Sequence, residues 1–344
     1  MPKKLFTFGI ISMLFCVFCG SIPDKTPIKT VSAQGYSEGK AECVVELNSR
    51  RILYASGAEK KLPMASTTKI ATAITVLDDC DDIKKEYEIP EKAVGIEGSS
   101  VYLQKGDIYT VEDLLYGLML RSGNDCATAL ALLFGGNLDN FAVKMNKTAQ
   151  KSGAFDSNFV NPHGLPCKNH YTTAKDLSYI TCYAMENPVF RQIVATKYYE
   201  PRKWKNKNKL LALYDGAIGV KTGYTKEAGR CLVSAVEREN MTLICTLLNC
   251  STTYERTQKL FDDAFKAYKQ TLLVGKEQVF EVKNGKKTLK ASINKDLYYP
   301  LLEEERDLIE IKILPLQEKS KNIVGQLEIY LAKRLLFSEN LYKL

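Results

Sequence analysis

Apolar positions along this chain change period several times, and each change marks an element. Two short runs, Cys-Val-Val-Glu-Leu at 43–47 and Arg-Ile-Leu-Tyr at 51–54, flank Asn-Ser-Arg and predict a β-hairpin. Residues 70–77 are apolar, almost free of charge and of helical length. They predict a buried helix that opens near Ser66 and ends in the charged segment 78–85. After Gly-broken extended pieces at 88–109, the three–four spacing of 111–120 predicts a helix capped by Thr110. A polar turn at 121–125 separates it from an apolar helix at 126–134, and 138–151 is amphipathic. Residues 161–165 (Asn-Pro-His-Gly-Leu) read as a loop, Thr172 or Thr173 as the cap of a helix reaching about Met185, and Pro188 as the start of a shorter one. Three strands follow at 218–224, 230–237 and 241–248, apolar enough for central sheet positions, with Glu239-Asn240 turning the last pair. An amphipathic helix at 254–269 closes the unit by packing on that sheet.

Beyond about Thr271 the pattern becomes alternating β segments at 278–283, 286–293, 308–314 and 325–331, separated by Asn-Gly, Lys-Asp and charged turns. The expected fold is therefore α+β: an antiparallel sheet flanked by helices over 34–270, and a small all-β domain over 271–338. The last residues, 339–344, read as a tail, and 331–344 could form an amphipathic turn or two on a membrane.

Size agrees with two domains, since 344 residues at 45% hydrophobic content bury a sizeable core. The first segment stands apart. Lys3 and Lys4 precede an apolar stretch at 5–22, and a polar segment ends in Val31-Ser32-Ala33, the layout of a secretory signal cleaved after Ala33. The apolar part is also long enough for an uncleaved N-terminal anchor, while Phe18 before Cys19 is a poor lipoprotein signal. Removing 1–33 takes four lysines and one aspartate and lowers the net charge from +8 to +5. That excess suits an anionic envelope surface and gives little support for nucleic acid. One stretch, 197–209, gathers six Lys or Arg around Trp204; a solvated loop or ribbon is favoured there over a stacking nucleic-acid patch. Eight of the ten cysteines lie beyond the signal, with no C-x-x-C pair and no zinc spacing. Several sit in apolar stretches as small buried hydrophobes, which suits a reducing or anaerobic setting, although a disulfide stays open.

Candidate chemistry concentrates at Ser66-Thr67-Thr68-Lys69. On a helix, i and i+3 share a face, so hydroxyl and amine point the same way at a terminus whose N–H groups lack intrahelical partners. That supplies a nucleophile, a base and part of an anion hole. Taken alone, Ser-x-x-Lys is better read as a helix cap, since Ser and Thr commonly cap helices. Two later signals shift the balance: Ser122-Gly123-Asn124 in a turn between helices, and Lys221-Thr222-Gly223 on a strand followed by another strand.

In order, spacing and element type these motifs resemble the low-molecular-mass penicillin-binding proteins, most closely the serine-type D-Ala-D-Ala carboxypeptidases. The resemblance runs from about Ala41 to Leu331. It includes 161–165, Thr172-Thr173-Ala174-Lys175-Asp176-Leu177, Tyr224-Thr225, 228–232, and Arg256 with Leu260-Phe261-Asp262. It implies a β-lactamase/transpeptidase-like domain followed by the family's small C-terminal domain. It implies catalysis by Ser66, Lys69, Ser122, Asn124 and Lys221, and substrate binding by Thr222, Gly223, Tyr224 and Arg256, with no metal and no cofactor. The oxyanion donors would be the N–H groups of Ser66 and Tyr224, and Thr222 with Arg256 would face the substrate's terminal carboxylate. Partners would be peptidoglycan stem peptides and, as covalent inhibitors, β-lactam antibiotics, with membrane-surface association and a secreted, extracytoplasmic location. Related readings are an endopeptidase or transpeptidase acting on cross-linked wall, and a non-catalytic wall-binding module. A two-histidine zinc peptidase is the rival from another class; His163 and His170 are the only histidines, no His-Glu-x-x-His is present, and His163 reads as a structural residue near the cleft. A class A β-lactamase would need a deacylating Glu, and none lies between Asp125 and Met185, so a penicilloyl adduct should be long-lived.

Overall fold

The computed structural model describes residues 38–284, 287–316 and 322–344, so the predicted signal at 1–33 lies outside the described residues. The larger domain is built on a five-stranded antiparallel sheet in the order Ile52–Ser56, Gly39–Glu46, Met241–Cys250, Gly229–Arg238, Ala217–Thr225. Met241–Cys250 lies in the middle and is buried almost throughout, because helices cover both faces of the sheet and leave no side to water. One face carries the helices Lys69–Asp79 and Ala174–Glu186, with Asn124–Gly135 and Leu138–Lys151 behind them. The other face is covered by Thr253–Ala267, through Leu260, Phe261, Ala264 and Phe265. Ala217–Thr225 is an edge strand, so one row of its backbone groups is left unpaired by the sheet.

The predicted caps take their places. Thr110 Oγ1 accepts from the Asp113 amide at 3.0 Å, and Thr173 Oγ1 from Asp176 at 3.0 Å. The basic stretch is a two-stranded ribbon, Tyr198–Tyr199 with Trp204–Lys205. Two of its aromatic residues, Tyr199 and Trp204, are taken up by packing, and Tyr198 is exposed. Tyr199 stacks on Tyr116 at 3.8 Å and donates its hydroxyl to Asp113, which also accepts from Arg202 at 2.7 Å.

The second domain is all β. Phe280–Asn284, Lys287–Ser292, Arg334–Lys343, Ile323–Leu331 and Ile309–Pro315 form a five-stranded sheet in that order, and Lys269–Val274 pairs with Leu297–Leu301 beside it. Here the structure corrects the sequence reading. Residues 339–343 are no tail, and 331–344 is not helical: Arg334–Lys343 is a full strand with Leu341 buried. The hairpin turns through Ala332 and Lys333, both left-handed (φ 48° and 73°), without the Asn-Gly signature that announces such a turn. The domains meet at a buried bidentate pair. Arg51 donates to both Glu305 oxygens at 2.6 and 2.9 Å and to the Pro300 carbonyl at 2.6 Å, with its guanidinium 4.9 Å from the Tyr268 ring centroid.

Candidate active site

Ser66 sits in a single 3-10 turn, Ala65–Thr68, that runs into the central helix Lys69–Asp79. In a 3-10 turn residues i and i+3 eclipse one another, which aligns Ser66 and Lys69 more directly than an α-helix would. Oγ of Ser66 lies 2.9 Å from Nζ of Lys69. The turn is strained at its first residue, Ala65, which is left-handed at φ 50°. The 161–165 loop holds it there. A Cβ on Gly164 would fall 1.9 Å from the Ala65 carbonyl oxygen, so only glycine lets the loop close over the turn.

Lys69 is fully buried and makes no ion pair among the described residues. Its Nζ has three neighbours: Ser66 Oγ, Asn124 Oδ1 at 2.7 Å and the His163 carbonyl at 2.7 Å. Asn124 cannot be turned the other way, because its Nδ2 donates to the Glu97 carbonyl at 2.5 Å. Two of the three neighbours are thus obligate acceptors. A neutral amine has two hydrogens and one lone pair; the hydrogens go to Asn124 and His163, and the lone pair is left facing the Ser66 hydroxyl. The electrostatics agree. Burial first, and then the charge of Lys221, push the Lys69 amine well below the usual lysine range. Burial, with the charge of Lys207, brings Lys221 down to about 7. Lys207 adds its positive charge against both amines, so burial and like charge act together on the pair.

Ser122 follows a π-helical turn, Gly117–Arg121, and is itself left-handed at φ 64°. Such turns insert an extra residue and push the next side chain out of the helical path. This turn contacts both the central helix and the edge strand, which brings Ser122 and Asn124 to the same junction. The edge strand comes very close: a Cβ on Gly223 would lie 3.1 Å from the amide nitrogens of Ser66 and Thr67 and from the Met64 carbonyl. Lys221 is buried and donates to the Thr222 carbonyl at 2.9 Å, while Tyr224 is 66% exposed at the cleft's rim.

Arg256 is elsewhere. It lies on Thr253–Ala267, on the opposite face of the sheet, and donates to Glu42 at 2.7 Å and to Tyr54 at 3.0 Å, with both members of the ion pair buried. Burial alone would raise the Glu42 carboxyl, but hydrogen bonds and charge from Arg256 outweigh it and hold Glu42 below the usual range. The expected role for Arg256 at the substrate carboxylate is therefore withdrawn. Local sequence similarity does not say which face of a sheet a helix covers.

Two contributors escaped the sequence reading. The carbonyl of His163 binds Lys69, and a backbone group carries no residue-type signal. Lys207, exposed and 3.4 Å from Ser99 Oγ, adds its charge to the cleft from just beyond the basic ribbon. The histidine rings serve loop geometry. Nδ1 of His170 accepts from the Val160 amide at 3.1 Å, which puts the proton on Nε2 for Thr68 Oγ1 at 2.9 Å. Nδ1 of His163 accepts from Leu165 at 3.2 Å.

A serine beside a buried lysine that makes no ion pair among the described residues, on a helix that fronts the open edge of an antiparallel sheet, defines a serine acyl-transfer enzyme of the penicillin-binding class. The D-alanyl-D-alanine carboxypeptidase family profile matches residues 28–252, and the chain belongs to that family. The D-alanyl-D-alanine carboxypeptidase DacF of Bacillus subtilis is 30% identical over 301 residues, covering 83% of this chain and 77% of that protein. The Streptomyces K15 DD-transpeptidase, solved in a mutant form, is 32% identical with a TM-score of 0.63, over 67% of this chain and 98% of that one. Penicillin binding protein 5 of Haemophilus influenzae shares the fold over 93% of this chain and 98% of its own (TM-score 0.74, 24% identity).

Proposed function

We propose that this enzyme removes the terminal D-alanine from peptidoglycan pentapeptides through an acyl-enzyme on Ser66. The observation that carries the assignment of roles is the set of three neighbours around Lys69 Nζ, which leaves its lone pair for the Ser66 proton. Ser66 Oγ attacks the carbonyl between the two D-alanines as its proton passes to Lys69. Negative charge develops on the carbonyl oxygen beside the Ser66 and Tyr224 amides, in the slot that Gly223 leaves open. Ser122 passes the proton to the leaving amine, the C–N bond breaks, and free D-alanine departs. Water then attacks the ester and restores Ser66. The substrate lies along Ala217–Thr225 as an added strand. Its terminal carboxylate faces the Thr222 hydroxyl and the ammonium groups of Lys221 and Lys207, the cations that remain once Arg256 is placed on the far face.

β-Lactams, which offer a strained amide to the same serine, acylate it and stay bound. The substrate places the enzyme outside the cytoplasm, at the cell wall or membrane surface, and no part of this reading uses nucleic acid. A fluorescent penicillin should label the wild type and leave Ser66→Ala unlabelled, and the wild type should release D-alanine from a pentapeptide mimic. Labelling that survives Ser66→Ala would remove Ser66 from the mechanism. Labelling without D-alanine release would favour transpeptidation or endopeptidase action.

A further inference from the structure

We infer that a groove beside the cleft reads the side-chain terminus of the residue that precedes the two D-alanines, and that it is built for an arm ending in both an ammonium and a carboxylate. The inference rests on the carboxypeptidase reading and names the substrate class of the same site. The groove, of about 410 Å³, is lined by Lys61, Leu62, Pro63, Lys168, Tyr171 and Glu227 among others. Leu62 and Pro63 lead through Met64 into the strained turn that carries Ser66. Glu227 lies two residues past the end of the edge strand Ala217–Thr225. The groove therefore adjoins the Thr225 end of the cleft, and the cations Lys221 and Lys207 mark the other end.

Substrate direction follows from charge. The only anion on a D-Ala-D-Ala end is its C-terminal carboxylate, which belongs at the Lys221 end, so the added strand runs antiparallel and its earlier residues approach Thr225. With the scissile carbonyl in the slot beside Gly223, the preceding residue lies one to two strand positions further on, roughly 3–7 Å. An aliphatic arm of four or five bonds adds roughly 5–6 Å. We place the end of that arm in the groove because the groove adjoins the Thr225 end of the cleft.

The chemistry of the groove is mixed in sign. Lys168 and Glu227 are both exposed, and neither makes an ion pair or hydrogen bond among the described residues. Lys61 is already engaged, paired with Asp156 at 3.4 Å and 5.3 Å from the Tyr171 ring centroid. One free cation and one free anion thus line a single groove. An arm ending in an ammonium alone satisfies Glu227 and leaves Lys168 unused. An arm ending in an amino-acid head, ammonium plus carboxylate, satisfies both, and that difference is the basis for selection.

Three pentapeptides test this, identical except at the third residue: L-lysine, meso-diaminopimelate, and diaminopimelate amidated on its side-chain carboxylate. Each is measured by D-alanine release and by its ability to protect Ser66 from fluorescent penicillin. The zwitterionic arm should give a kcat/KM about tenfold above lysine, chiefly through KM, and amidation should remove the advantage. Lys168→Gln should collapse the diaminopimelate-to-lysine ratio towards one, whereas Glu227→Gln should weaken both arms. The penicillin acylation rate of each variant is the reference for these losses. Equal kcat/KM and equal protection by all three peptides, or a ratio untouched by Lys168→Gln, overturns the inference. Absence of D-alanine release from every peptide instead overturns the hydrolytic reading, and the protection series still ranks the three arms.

Discussion

The two faces of the central sheet each bury a cation completely, and they treat it in opposite ways. On the far face Arg256 meets Glu42 at 2.7 Å, with Tyr54 bridging the two. On the cleft face Lys69 and Lys221 are equally buried, yet their hydrogen-bond partners are a hydroxyl, an amide oxygen and carbonyls. A guanidinium stays charged in any protein environment, so it requires an anion when buried. An ammonium can instead lose its proton, and that option is what a general base needs. The cleft face also carries left-handed backbone at Ala65 and Ser122, the two residues that set its catalytic turns. Paired charge on one face holds the helix on the sheet; unpaired charge on the other is spent on reactivity.

Exchanging the two kinds of cation should break this contrast most visibly. Lys69→Arg puts a permanently charged group where a base is required, and the rate of penicillin acylation should fall about 10³-fold or more, as it should in Lys69→Met. A stopped-flow or gel-based acylation rate near wild type for Lys69→Arg would end the neutral-amine account. On the far face Arg256→Met leaves Glu42 buried without its partner and should cost about 3–5 kcal/mol of stability, read from denaturant unfolding. Acylation per folded molecule should change little, which an Arg256 in contact with substrate would not allow.

A smaller effect concerns pH. Lys69 must be uncharged to accept a proton, so kcat/KM rises as pH climbs through its depressed pKa. Lys221 must be charged to attract a carboxylate, so kcat/KM falls as pH climbs past about 7. Lys207→Gln removes a positive neighbour and should move that alkaline limb upward. A limb that stays in place would separate Lys207 from Lys221. The smallest effect is at Tyr102, 81% exposed and left-handed at φ 66°. Its loop is fixed by Asp125, whose carboxylate accepts from Ser100 Oγ and from the amides of Val101 and Leu103. Tyr102→Gly should relieve the strain and raise stability by up to about 1 kcal/mol, visible as a small increase in the unfolding midpoint. A lower midpoint would show that the ring contributes packing despite its exposure.

Much of this arrangement could be read from the chain because it is local. Ser66 and Lys69 are one turn apart, and Thr110 and Thr173 announce their helices by chemistry that works within three residues. The apolar run at 241–248 marks a strand covered on both faces. What the sequence withheld is long-range or carried by the backbone. The π turn before Ser122 has no composition of its own. The His163 carbonyl reaches Lys69 only through a loop closure that needs Gly164. The resemblance that points Arg256 at the substrate carboxylate is local, and a local match does not reveal which face of the sheet its helix covers. Arg334–Lys343 was passed over because its hairpin uses Ala332-Lys333 in place of a recognisable turn pair.

Gly223 sets a limit on how such an enzyme can escape its inhibitors. In the gap beside the Ser66 turn, a Cβ on that residue would press to 3.1 Å on the amides of Ser66 and Thr67 and on the Met64 carbonyl, closer than a carbon ordinarily sits. A natural peptide and a β-lactam must offer their carbonyl to the same gap. A side chain at 223 therefore crowds both together, and drug insensitivity has to arise where the two ligands differ in shape.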